Sequence, residues 1–138
     1  MNQNPQLARM KHFNALVLLA CLPFARSQAQ NTCASPLAVT AGVLYTVDTV
    51  DGPDVPLPVC SAGGTGATAG EWYLYTATDY VTVIVSSDLV QNGNTDTRVQ
   101  VYTGTCGNLT CIMGDDDGGA GLLTLGLFNA YPGQSYLI

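Results

Sequence analysis

From residue 71 onward the chain is a succession of short runs rich in β-branched and aromatic residues. Each run is cut off by Gly, Pro or Asn-Gly, and none has the length or the spacing of an amphipathic helix. Residues 71–77 (EWYLYTA) and 80–86 (YVTVIVS) read as strands. In 97–102 (TRVQVY), Val99 and Val101 fall on one side, with Arg98, Gln100 and Tyr102 on the other. Residues 122–128 (LLTLGLF) form a further strand in which Gly126 predicts a bulge, and 135–138 begin another. Upstream, 43–47 (VLYTV) reads as an early strand, while 51–58 and the small-residue stretch 61–70 read as loops. Short strands at roughly 8–12-residue spacing between Gly/Pro turns predict an all-β fold, a jelly-roll-like antiparallel β-sandwich, over residues 30–138 as a single domain.

Charge narrows the function. Three of the four basic residues (Arg9, Lys11, Arg26) and the single histidine, His12, lie in the first 26 residues. From Gln30 on, ten carboxylates face one guanidinium, that of Arg98, leaving nine net negative charges. Such a surface cannot neutralise a row of phosphates, so nucleic acid is excluded as a partner. Without histidine no Ser-His-Asp or Cys-His unit can be assembled, and a histidine zinc site is excluded as well. The expectation is a protein that is not an enzyme.

Residues 1–29 read as a secretory signal: a basic start, an apolar stretch over 13–25, and Ser27-Gln28-Ala29 as a small-residue cleavage site. The apolar stretch is shorter than the roughly 20 residues a membrane span needs, so no transmembrane span is expected after signal removal. Leu18-Leu19-Ala20-Cys21 offers a rival route, lipidation at Cys21, which would make the chain a small acidic outer-membrane lipoprotein. Both routes carry the domain out of the cytosol.

Four cysteines remain in the exported part: Cys33, Cys60, Cys106 and Cys111. An even count in an exported chain predicts two disulfides, with three connectivities open. A local Cys106–Cys111 clip across Gly-Asn-Leu-Thr is plausible, and would leave Cys33 to pair with Cys60.

Several segments, in order, resemble one family: Asn31-Thr32-Cys33-Ala34, Trp72-Tyr73-Leu74-Tyr75-Thr76-Ala77, Asp96-Thr97-Arg98-Val99-Gln100-Val101-Tyr102-Thr103-Gly104, Cys106-Gly107-Asn108-Leu109, Asp115-Asp116-Asp117 and Tyr131-Pro132-Gly133-Gln134-Ser135-Tyr136. The set is similar to the bacterial pre-peptidase C-terminal (PPC) type domain, in the versions found in exported proteins of Bacteroidetes. Asp115 stands where that pattern has Asn, Arg98 where it has an apolar residue, and most of its last strand is absent, so a C-terminal truncation is expected. The resemblance implies a non-catalytic β-sandwich module of a larger secreted or cell-surface protein, with a protein or a polysaccharide as partner. The alternative is an accessory fragment of a secreted peptidase or other hydrolase.

The acidic, Gly-rich stretch 114–119 is the best chemical candidate. Calcium takes six to eight oxygen ligands, and Asp115, Asp116 and Asp117 before Gly118-Gly119 can wrap a cation, with Asp96 joining if it lies at the same end of the sandwich. Asp96, Asp116 and Asp117 are the first choice of ligands, with Asp115 next. Trp72 and the tyrosines are read as core and ordinary sheet surface rather than a sugar-binding platform.

Overall fold

A computed structural model describes residues 30–54, 57–60, 69–93 and 95–138. Residues 1–29, which hold the expected signal and Cys21, and most of the small-residue stretch 61–70 lie outside the described residues. The strands are β1 (Leu37–Val39), β2 (Tyr73–Thr76), β3 (Val81–Ser86), β4 (Val99–Thr105), β5 (Asn108–Asp115), β6 (Leu125–Ala130) and β7 (Ser135–Leu137), with one 3₁₀ turn at Val90–Asn92. They form a five-stranded sheet, β1-β2-β7-β4-β5, and a two-stranded sheet, β3-β6. Every pairing is antiparallel except β1 with β2. The fold is the expected all-β sandwich.

Three local expectations are corrected. Residues 43–47 are not a strand; they are largely exposed, irregular chain, and Tyr45 accepts the Thr40 amide hydrogen through its hydroxyl (2.8 Å). The early strand is β1 instead. Gly126 makes no bulge, because β3 and β6 pair without interruption. It is a glycine because any Cβ there would run into the Met113 side chain from the facing sheet. The bulge lies in the β4–β5 hairpin, between Val101 and Tyr102. Finally, residues 108–115 form a strand, where the sequence reading placed a clip and a lead-in to the acidic loop.

That last difference changes the disulfides. Cys111 sits three residues into β5, which at about 3.3 Å per residue carries it roughly 10 Å from the turn that holds Cys106, too far for a bridge. The bonds are Cys33–Cys106 and Cys60–Cys111, closing spans of 73 and 51 residues.

Both bridges serve the same end: they hold the irregular N-terminal arms on the outer face of the five-stranded sheet. The middle of that sheet, around β2, β7 and β4, is therefore buried on both sides. Between the sheets lie Tyr75, Ala77, Val101, Phe128, Ala130 and Tyr136; beneath the arms lie Cys33, Trp72, Tyr102 and Leu137. Side-chain alternation through β2 and the residue before it supplies both layers, with Trp72 and Leu74 to one face and Tyr75 to the other. Polar atoms facing the arms find partners there. Trp72 Nε1 donates to the Asp54 carbonyl (2.9 Å), Gln100 Oε1 accepts the Cys60 amide (2.6 Å), and the Tyr102 hydroxyl donates to the Pro58 carbonyl (2.7 Å). Glu71 accepts the amides of Asp51 and Gly52, and Gly52 lies so close to the backbone of Asn31 and Gly70 that no side chain fits.

Burial pushes the Tyr102 phenol up to about 12. The folded chain thus holds this proton more tightly than the unfolded chain, where a tyrosine titrates at about 10. Below pH 10 the group adds no pH dependence; as pH climbs from about 10 through about 12, its contribution to stability is lost. Urea unfolding at about pH 9 and about pH 11 checks this. The decline should be shallower in Tyr102→Phe, and an equal decline in both proteins would contradict it.

Candidate metal centre

The register of the β4–β5 hairpin builds the acidic site. Val99, the first residue of β4, pairs with Asp115, the last of β5. Residues just before β4 and just after β5 therefore emerge at the same end of the sandwich. This brings Asp96 to Asp116 and Asp117, with one carboxylate oxygen from each within 4.8 Å of the others. Asp96 and Asp117 are exposed and Asp116 is half-buried. The first-choice ligand set from the sequence is the set that the fold assembles.

Asp115 is held apart by a structural task. Its Oδ2 accepts the backbone amides of Gly118 (3.0 Å) and Leu125 (2.9 Å), fixing the turn that leads into β6. Asp88 does similar work, accepting the Ala120 amide (3.2 Å).

Arg98 is the residue whose role sequence reasoning missed. It stood out only as a departure from an apolar position. In the structure its Nε donates to Asp116 Oδ1 at 2.6 Å. The hydrogen bond and charge of Asp116 first, then the charges of Asp96 and Asp117, raise the guanidinium above even its ordinary range. The signal was present in the spacing: Asp96-Thr97-Arg98 before one strand and three aspartates after its hairpin partner place the cation among the acids once the register is known.

Three carboxylates against one guanidinium leave two net negative charges, which a divalent cation balances. The donors are all oxygen, and they come from two segments held by one hairpin, which suits a hard cation such as calcium. Arg98 already engages one Asp116 oxygen, so an ion would rely on Asp96, Asp117 and the free oxygen of Asp116, completed by water.

Trp72 is buried, packed at 6.4 Å from the Tyr102 ring, and offers no sugar platform. Glu71 is committed to two backbone amides. No described helix is long and apolar enough to cross a membrane.

The fold and its bridges define a disulfide-stapled β-sandwich of the kind that persists in an oxidising, extracytoplasmic environment. No protein-family description, no curated protein and no solved structure matches this chain.

Proposed function

We propose that this chain is an exported, non-catalytic binding or accessory module of a larger secreted or cell-surface protein, with a calcium ion at its acidic end. The observation that carries the reading is the pair of long-range disulfides, which lock both N-terminal arms onto the β4–β5 hairpin. The result is a rigid scaffold that presents fixed loops, rather than a cleft around proton-transfer groups. The poverty of such groups in the exported part supports the non-catalytic assignment, and the ordered resemblance to PPC-type domains supports attachment to a larger exported protein. The partner is a protein or polysaccharide outside the cell. Calcium at Asp96, Asp116 and Asp117 would cross-link the two ends of the hairpin that Arg98 already joins in part.

Thermal melting of the oxidised protein in calcium chloride and in EDTA tests the metal. Calcium at 100 times its dissociation constant adds about 2.7 kcal/mol, a rise of about 10 °C or more for a domain of this size. Asp117→Asn should abolish the difference, because it removes one of the two exposed carboxylates. Superimposable melting curves would remove calcium from the proposal. Turnover of a peptide or glycan substrate by the purified chain alone would overturn the non-catalytic assignment.

A further inference from the structure

Among the described residues, nothing pairs with the outer edge of β3 in the two-stranded sheet; its one partner there is β6. The Ser87 amide donates to the Thr124 carbonyl of the chain entering β6 (3.1 Å), which sets the phase. Val81, Val83 and Val85 turn their backbone groups toward β6, and Thr82, Ile84 and Ser86 turn theirs outward. The Ile84 side chain is 62% exposed, and beside it on the same face lies Leu127 at 54%. No charged residue occurs from Tyr80 to Ser87, in an exported part that carries ten carboxylates. Edge strands in soluble proteins are normally blunted by charge, proline or a bulge, and β3 has none of these. At the β6 edge the Leu125 amide is taken by the Asp115 carboxylate.

We infer that β3 is the self-association surface of this protein, pairing antiparallel with β3 of a second copy about a two-fold axis at Ile84. The strand is complementary to itself in that register. Ile84 meets Ile84, Thr82 meets Ser86, and Val83 meets Val85, so the outer face matches apolar with apolar and hydroxyl with hydroxyl, and the core face stays aliphatic. The outward backbone groups of 82, 84 and 86 face one another, as ladder bonds require. The flanking acids do not oppose each other: Asp79 falls opposite Leu89, and Asp88 opposite Tyr80. The product is a continuous four-stranded sheet, β6-β3-β3-β6, closed by its two-fold symmetry so that assembly stops at the dimer.

Sedimentation equilibrium of the oxidised protein tests this, together with two variants at the exposed position 84. The wild-type chain is expected to sediment at twice its own mass. Ile84→Lys sets two ammonium groups side by side, so it should weaken the dimer by about 100-fold or more. Its melting temperature in dilute solution should stay close to that of the wild-type monomer. Ile84→Cys should cross-link to a covalent dimer under mild oxidation, because directly opposed residues of this kind lie about 5.5 Å apart and a disulfide spans that distance. Three results would each overturn the inference: a wild-type chain monomeric up to about 1 mM, which would leave the edge to a strand of another protein; a dimer indifferent to Ile84→Lys; or open-ended growth beyond the dimer.

Discussion

Reducing the two disulfides should unfold this chain at temperatures where the oxidised form is fully native. Closing a span of 73 or 51 residues removes unfolded-state entropy worth about 4 kcal/mol per bridge in the chain-entropy picture. A domain of this size has only about 5–15 kcal/mol of net stability in all. The spans overlap, so the two contributions do not simply add. The loss also exceeds chain entropy. Without the bridges the arms are free to leave the sheet, exposing Trp72, Tyr102 and Leu137, and the Tyr102 hydroxyl and Gln100 lose the partners they hold near Cys60. The double variant Cys60→Ala/Cys111→Ala should melt roughly 15–25 °C below the parent, and full reduction should lower the midpoint further. A reduced protein that melts within a few degrees of the oxidised one would show that the arms are held by packing alone.

Tyr136→Ala should be the most damaging single change in the core, at about 3–5 kcal/mol. Tyr136 lies in β7 at the centre of the five-stranded sheet and is 2% exposed. Its ring meets Phe128 of the opposite sheet at 4.9 Å and Tyr75 of its own sheet at 6.4 Å. It lies in the core between the sheets with Val101, Phe128 and Ala130, so its removal leaves a void there. Tyr136→Phe separates packing from polarity. It keeps the ring and gives up only the hydrogen bond that the hydroxyl accepts from the Tyr131 amide (3.0 Å), a cost of about 1 kcal/mol. Urea denaturation of the two variants checks the ratio. Equal losses would mean that the hydrogen bond, not the ring, is the main contributor.

Both results rest on β4 and β7, and these are the elements whose surroundings the sequence conceals. Alternation in 97–102 reads correctly as two faces, but it suggests a core face and a solvent face. Tyr102, on the supposed outer face, is as buried as Val101 on the inner one. What covers it is a layer without secondary structure, and irregular chain has no periodicity to announce that it will be packed. The strand at Asn108–Asp115 was missed for a related reason: Thr110, Cys111 and Ile112 are exposed, so its pattern lacks the apolar alternation that marked the others. Missing that strand carried the cysteine pairing with it, since a local clip is reasonable only if the residues between the cysteines turn. The aspartate cluster was readable only in part: the acidic run at 115–117 stands out, but bringing Asp96 to it needed the β4–β5 register, which the missed strand hid. The place of Arg98 inside it needed that register to one residue.

By itself the sequence determined the all-β class, the depletion of basic and histidine side chains after residue 29, and the acidic run at 115–117. These follow from composition and from a period-two pattern, which are local properties of the chain. Which cysteines join, and that both faces of the middle strands are covered, were decided only by tertiary structure. Each depends on what lies beyond the nearest neighbours in sequence: the 73- and 51-residue spans between bonded cysteines, and a second sheet of two strands laid across a sheet of five.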